Sequence, residues 1–518
     1  MPVFLGLDFG TGGCKGCLID ENANVLSYAF REYPIITNTS GWSEHAPSYY
    51  WQYTCEIIEE CKAKAGVSAG DIVCAAVSSA LPSMVMVDRD GNTINNAYNL
   101  MDRRAREEVD FVNAMLGADE VFAITGNRLE DHPSLVNLLW EKKNRPESYA
   151  KIHKILTIDG YIVFKLTNKY SLNYSAAAFY GIAFDIRRKE FNTDIINSLG
   201  LDAGMLPDLF PCEDIAGHVS LRAADEAGLK PEMPVVAGQV DCNAAWLGAG
   251  AIFEGDIQIN LGTCGNFGII HKDDNFDNRM IVCPYTKDSA NTYITIPTTT
   301  TGGQIIRYIR DNFSAVEVEV ERLTGESAYD LLEKQAQKIG TGSDGLIVLP
   351  FLMGERTPIW DPYARGAVIG LTLAHSKPHI VKACMEAVAY ALYDSYRLVL
   401  ATGRKINTPI VFNEGGAKNR MWRQIITDVF NVPTVIVKNR IGAPYGDAIL
   451  AGVSVGCFAP DFTIAREKAE YIDELLPDKN RNEIYMEYFA LYKRSYEGLK
   501  SVYRDLYKVA EKARKLEV

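Results

Sequence analysis

No dense run of lysine and arginine interrupts this 518-residue chain, and 66 acidic against 53 basic residues leave a formal net charge of −13. That balance excludes the electrostatic footprint of a nucleic-acid or anionic-membrane binder. The basic cluster Lys508 to Lys515 is interleaved with acidic and apolar residues and reads as a solvated helix face. No apolar run approaches the ~20 residues of a membrane span. The opening MPVFLGLDFG has neither a charged leader nor a cleavage site, so the expected location is the cytosol. Histidine is scarce, seven in all, and shows no zinc spacing. The eleven cysteines are scattered and fit reduced thiols better than a disulfide framework. Cys14 and Cys17 spell CxxC, but in an extended strand residues three apart point to opposite faces, which excludes a shared metal or disulfide.

With 47% hydrophobic and 23% charged content, the chain is globular and long enough for two large domains. Strands and helices alternate. PVFLGLDFG, CKGCLID and NVLSYAF form a meander, a helix runs from Ser48 to Lys64, DIVCAAVSS is a strand, and MVMVDRDGNTI is a hairpin turning at Asp90-Gly91. Beyond Gly238 the order restarts with INLGT, FGIIH and YITIP. Ser376 to Thr402 has helical apolar spacing, with Ser376 as cap and Gly403 as stop. The expectation is an α/β chain made of a duplicated unit, divided into residues 1–248 and 249–518.

Glycine is placed with purpose. LDFGTGGCKGCLID at 7–20 and INLGTCGNFGII at 259–270 share a layout: with Asp8 over Asn260, Gly10 meets Gly262, Thr11 meets Thr263, Gly13 meets Gly265 and Gly16 meets Gly268. A turn stripped of side chains presents successive backbone N–H groups, which attract phosphate oxygens. Two such turns, one per domain, are expected to hold a polyphosphate. Asp8 precedes the first turn, where a carboxylate tolerates phosphate only through a cation, which points to Mg²⁺ with a nucleoside triphosphate. In AGQVDCNAAWLGAG, Asp241 follows an apolar strand at the start of a helix. It is a candidate general base for a hydroxyl attacking the γ-phosphate, the alternative being a helix cap.

The chain resembles the FGGY carbohydrate kinases over nearly its whole length. DFGT with GWSEHAP at 41–47 looks like the opening of xylulokinase-like members. RGAVIGLTLAHSKPHIVKACMEAV at 365–388 follows the family's C-terminal signature through Gly366, Val368, Gly370, Leu371, His379, Ile380, Ala383, Met385 and Glu386, with Cys384 a mild departure. SLVNLLWEKKN at 134–144 keeps Trp140 of the other signature but has Asn137 for lysine and Glu141 for an apolar residue. The resemblance implies two ribonuclease-H-like domains of the actin and hexokinase type closing on Mg-ATP and a sugar or polyol. Residue by residue, it implies Asp8 as the metal-linked acid, Gly10, Thr11 and Gly12 as the first phosphate turn and Gly262 with Thr263 as the second. It makes Asp241 the base. Gly302 and Gly303 become nucleotide contacts, and Gly415, Gly416, Ala417 and Asn419 the adenosine site. GAPYGDAILAG at 442–452 is expected to pack a helix near that site.

The sugar is the weaker part of the likeness. AYNLMDRRA at 97–105 looks like the family's W-x-D-x-R segment with Leu100 for tryptophan, so Asp102 and Arg104 either line the sugar site or brace it. Where xylulokinases carry Gln-Met-His-Gly, this chain has Ala80, Leu81, Pro82 and Ser83. The implied activity is ATP-dependent phosphorylation of a small sugar, a ketopentose such as D-xylulose. The alternatives are a glycerol-like polyol, a gluconate-like sugar acid, or an actin- or chaperone-like ATPase. Family members are commonly dimers, which implies a homodimer here.

Overall fold

A computed structural model gives the fold, and it describes residues 1–413, 415–438 and 441–516. Two compact units emerge: Met1–Phe253 with Ile270–Thr295 and Ile441–Glu470, and Glu254–Ile269 with Ile296–Arg440 and Tyr471–Val518. By contacts, Ile270–Thr295 and Ile441–Glu470 group with the first unit rather than with their sequence neighbours.

The first unit is built on a sheet whose one side is the N-terminal meander: β1 (Val3–Gly10), β2 (Gly13–Asp20) and, at the edge, β3 (Val25–Glu32). Helix α1 (Ser48–Ala65) ends at the left-handed Gly66, and β4 (Ile72–Ser79) then pairs parallel with β1. The short β5 (Gln239–Val240) extends the far side of β4 and runs straight into α2 (Asp241–Gly248). β1 and β4 are buried almost end to end, as parallel strands covered on both faces must be. One face packs under α1, where Cys14 joins Ile57, Ile58 and Cys61. The other packs under the helix Ala443–Ser454, where Cys17 joins Ala448 and Ile449. The CxxC thiols thus diverge to opposite cores, and burial pushes the Cys14 thiol up to about 12.

The second unit repeats the plan. β6 (Ile257–Leu261) and β7 (Gly265–His271) form an antiparallel hairpin, as β1 and β2 do. Helix α3 (Lys377–Ala401) precedes β8 (Ile410–Asn413), which pairs parallel with β6 as β4 does with β1. The chain continues through α4 (Arg420–Phe430), β9 (Thr434–Val437), β10 (Tyr471–Leu475) and the 36-residue α5 (Lys479–Arg514). α3 starts at Ser376, whose capping box with His379 satisfies backbone donors at the N-terminus. Its length and both ends match the sequence reading. Among the described residues, no helix is long and apolar enough to cross a membrane.

Candidate active site

Register places the first set of candidates. Asp8, Ser78 and Gln239 lie side by side across β1, β4 and β5, and Phe9, Ser79 and Val240 form the next row. One residue further the strands end: β1 in the Gly10-Thr11-Gly12 turn, β4 in Ala80-Leu81-Pro82, β5 in Asp241. The carboxyl ends of neighbouring parallel strands are where open α/β sheets bind ligands. All of these candidates therefore share one edge of the first unit.

Asp8 is 2% exposed, and each of its carboxylate oxygens accepts one hydrogen bond. Lys15 Nζ donates to Oδ2 at 3.0 Å and Ser78 Oγ donates to Oδ1 at 3.2 Å. Ser78 also reaches Asp447 Oδ2 at 2.6 Å, and Gln239 Nε2 donates to Asp447 Oδ1 at 2.9 Å. Burial holds the Asp447 carboxyl well above the usual range, with Asp8 adding to the effect. Lys15 is held firmly protonated, chiefly by Asp8 and also by Asp241, so the ammonium sits within electrostatic range of both acids. Asp447 belongs to GAPYGDAILAG, whose helix packs against β1, β4 and α2 in the first unit. Lys15 was legible in principle, because a hairpin turning between Gly10 and Gly13 must pair Asp8 with Lys15.

The first turn is held from below. Tyr33 donates its hydroxyl to the Gly10 carbonyl and its N–H to that of Gly12. His45, fully buried, contacts the Thr11 backbone, the Tyr50 hydroxyl at 2.8 Å and the Asn99 amide at 3.4 Å. Burial lowers its pKa to about 4, so the ring is neutral at physiological pH. A Cβ on Gly12 would meet nothing within 4 Å, so the space above the turn is open to a ligand.

Asp241 is partly exposed at the head of α2 and accepts from the Cys242 N–H at 2.7 Å. Val240 occupies the cap position and makes no side-chain cap bond, so Asp241 is not the helix cap. Leu81 and Pro82 are buried beside it at the end of β4. Asp102 and Arg104 form a buried ion pair. Both side chains are closed to solvent and bond each other, with Arg104 Nε 2.9 Å from Asp102 Oδ1 and Nη2 2.6 Å from both Asp102 Oδ2 and Glu44 Oε1, while the buried Nη1 has no hydrogen-bond partner among the described residues. The guanidinium also lies 3.8 Å from the Tyr98 ring centre and 4.0 Å from that of Trp42. The enclosure suits a brace, and the unbonded Nη1 leaves one donor for a ligand. Glu141, unexpected at an apolar position, is bonded by Tyr98 and Arg145 within the same neighbourhood.

The second unit carries a cavity of about 460 Å³ lined by Gly262, Thr263, Gly303, Gly416 and Asn419 together with Trp422. Gly302 closes its floor, donating to the Thr263 carbonyl at 2.9 Å, while Gly303 donates to that of Gly262 at 2.7 Å. A Cβ on Gly302 would stand 2.3 Å from the Cys264 carbonyl carbon, and one on Gly416 2.3 Å from the Leu261 Cβ, so both approaches demand glycine. Gly415 to Lys418, Ala417 included, form one 3₁₀ turn, and Glu414 lies outside the described residues. Asn419 caps α4 by accepting from the Trp422 N–H at 2.7 Å. Sequence reasoning missed Tyr329, Asp330, Gln304 and Trp422 on the cavity wall, residues without a motif of their own.

Residues 3–248 match the N-terminal domain of the FGGY family of carbohydrate kinases and residues 257–455 match its C-terminal domain. The chain belongs to this family and is a carbohydrate kinase with the two-domain actin- and hexokinase-like fold. It is xylulokinase-like. It is 28% identical over 502 residues to a xylulose kinase of Bacillus subtilis, covering 97% of this chain and 98% of the relative. It is also 30% identical over 457 residues to a gluconokinase of the same organism, covering 87% of each. The crystal structure of gluconate kinase from Lactobacillus acidophilus superposes with a TM-score of 0.88 at 25% identity, covering 98% of this chain and 99% of that one.

Proposed function

We propose that this kinase transfers the γ-phosphoryl group of ATP to a hydroxyl of a ketopentose such as D-xylulose, with Asp241 as the general base. The observation that carries the reading is the row geometry of the first unit: a partly exposed Asp241 stands at the same strand-end edge as the Asp8 turn, with Lys15 in electrostatic range of both acids. Asp241 accepts the hydroxyl proton as attack begins. The Gly10-Thr11-Gly12 and Gly262-Thr263 turns serve the phosphates of one nucleotide, and the cavity of the second unit takes its nucleoside. Gly303, Gly416, Ala417 and Asn419 are its contacts. Because phosphoryl transfer depends on positioning and charge neutralisation, backbone donors and one carboxylate are sufficient protein machinery.

Asp8 fits the Mg²⁺ that travels with the nucleotide. Each of its oxygens has one partner and a lone pair to spare, and Mg²⁺ uses one or two carboxylates plus phosphate oxygens and water. The ion supplies charge neutralisation at the phosphates. Lys15 orients the Asp8 carboxylate through its 3.0 Å contact with Oδ2.

A second reading, a sugar acid as acceptor, is supported by the 30% identity to a gluconokinase, while Leu81 and Pro82 count against xylulose. These apolar residues stand where xylulokinases present hydroxyl-reading side chains, and sites built on such hydrogen bonds discriminate strongly. The deciding experiment is a coupled ADP-release assay with D-xylulose, D-ribulose, D-gluconate and glycerol. A preference for a ketopentose supports the proposal. Turnover confined to gluconate replaces it with the second reading, and ADP release independent of any acceptor refutes both.

A further inference from the structure

Helix α5 outruns the body it packs on. Its N-terminal two-thirds buries Tyr485, Phe489, Tyr492 and Tyr496 against the second unit. A heptad stripe with Tyr485 and Tyr492 at one apolar position continues as Leu499, Val502, Leu506, Val509, Ala513 and Leu516, spaced 3, 4, 3, 4, 3. Tyr503, on the flank of that stripe, is the last buried residue of the helix. Around and beyond it the stripe is open among the described residues: Val502 is 43% exposed, Leu506 56%, Val509 65% and Leu516 80%. A helix end that stays solvated gains nothing from keeping apolar residues in a and d register for two further heptads.

We propose that residues 499–516 are a homotypic docking surface, pairing with the same segment of a second copy of this chain as a short antiparallel coiled coil. The stripe is complementary to itself in that orientation. Antiparallel helices pack a against d positions, and Leu499 with Leu516, Val502 with Ala513 and Leu506 with Val509 fall opposite one another in a single alignment. The same alignment brings Asp505 and Lys512, both at g positions, to each other across the interface, twice by symmetry. In a parallel pair Asp505 would face Ala510 instead. The body occupies the other flank, where Tyr503 is buried and Tyr507 packs on Tyr363 at 5.1 Å between ring centres, so the g side is the one left open.

Sedimentation of the full chain from about 1 to 100 µM, a range suited to a weak helix pair, tests this. The expected result is a concentration-dependent dimer, abolished by Leu506→Glu with Val509→Glu while circular dichroism and the melting temperature stay unchanged. Asp505→Lys alone should weaken the dimer about three- to tenfold, given two exposed ion pairs reversed, and Asp505→Lys with Lys512→Asp should restore it. A monomer at every concentration would overturn the proposal. So would a dimer indifferent to the glutamate substitutions, and failure of the charge swap to restore association would overturn the antiparallel arrangement.

Discussion

Asp241 is where the account is most exposed. Replacing it with asparagine keeps the shape and the Cys242 N–H contact but removes the proton acceptor, so turnover should fall at least ~10²-fold, with the melting temperature unchanged. Rapid-quench or steady-state kinetics beside a thermal melt checks both. Lys15→Met should leave the buried Asp8 carboxylate without its counter-ion, costing about 2 kcal/mol of stability by melting, an effect absent from substitutions on the open helix faces. Glu386, of the family signature, gives a pH prediction. Burial raises its carboxyl from 4.5 to about 7, and it accepts from Ser343 Oγ at 2.8 Å and the Gly342 N–H at 3.0 Å. The folded chain therefore binds the extra proton between those values. The stability from the neutral carboxyl is full below about pH 4.5 and is lost as pH rises through 7, on the order of 3 kcal/mol. Denaturant titrations should show wild type weakening between about pH 5 and pH 8 relative to Glu386→Gln; parallel curves would contradict it.

At the scale of elements, the two glycine turns make opposite predictions. Gly12 has open space above it, so Gly12→Ala should fold normally yet raise the KM for ATP about tenfold by displacing a backbone donor contact. Gly302 has none, and Gly302→Ala should push the Gly262-Thr263 turn aside and cost about 2 kcal/mol of stability as well as nucleotide affinity. Measuring both KM and melting temperature separates the cases. The elements themselves were largely legible. The β1–β3 meander, α1, β4, the α3 helix with its cap and the repeated hairpin all follow from local period and turn chemistry, which operate within a few residues. What the sequence hid was long-range. Asp447 sits more than 400 residues from Asp8 yet shares Ser78 with it, and only the packing of the helix Ala443–Ser454 on β1 brings it there. The Asp102–Arg104 pair was equally ambiguous as text. Its enclosure draws Trp42 and Glu44 from one segment and Tyr98 from another.

For the whole molecule, membership in the carbohydrate kinases was readable from motifs spread over both halves, because phosphate turns and the signature helix are local. The contact-based units were not, since Ile270–Thr295 and Ile441–Glu470 return to the first unit across long sequence gaps. Nor was the acceptor, since selectivity among small sugars depends on which side chains converge on the bound molecule from distant segments. The central claim is that ATP gives its terminal phosphoryl to a sugar through Asp241. The most direct test is ³¹P NMR of enzyme, Mg-ATP and D-xylulose, run with wild type and with Asp241→Asn. The account predicts a growing sugar-phosphate resonance matched to ADP for wild type, and none for the variant although it still binds ATP. A variant that makes sugar phosphate at the wild-type rate, or a wild type that yields only ADP and inorganic phosphate with every sugar, would contradict it.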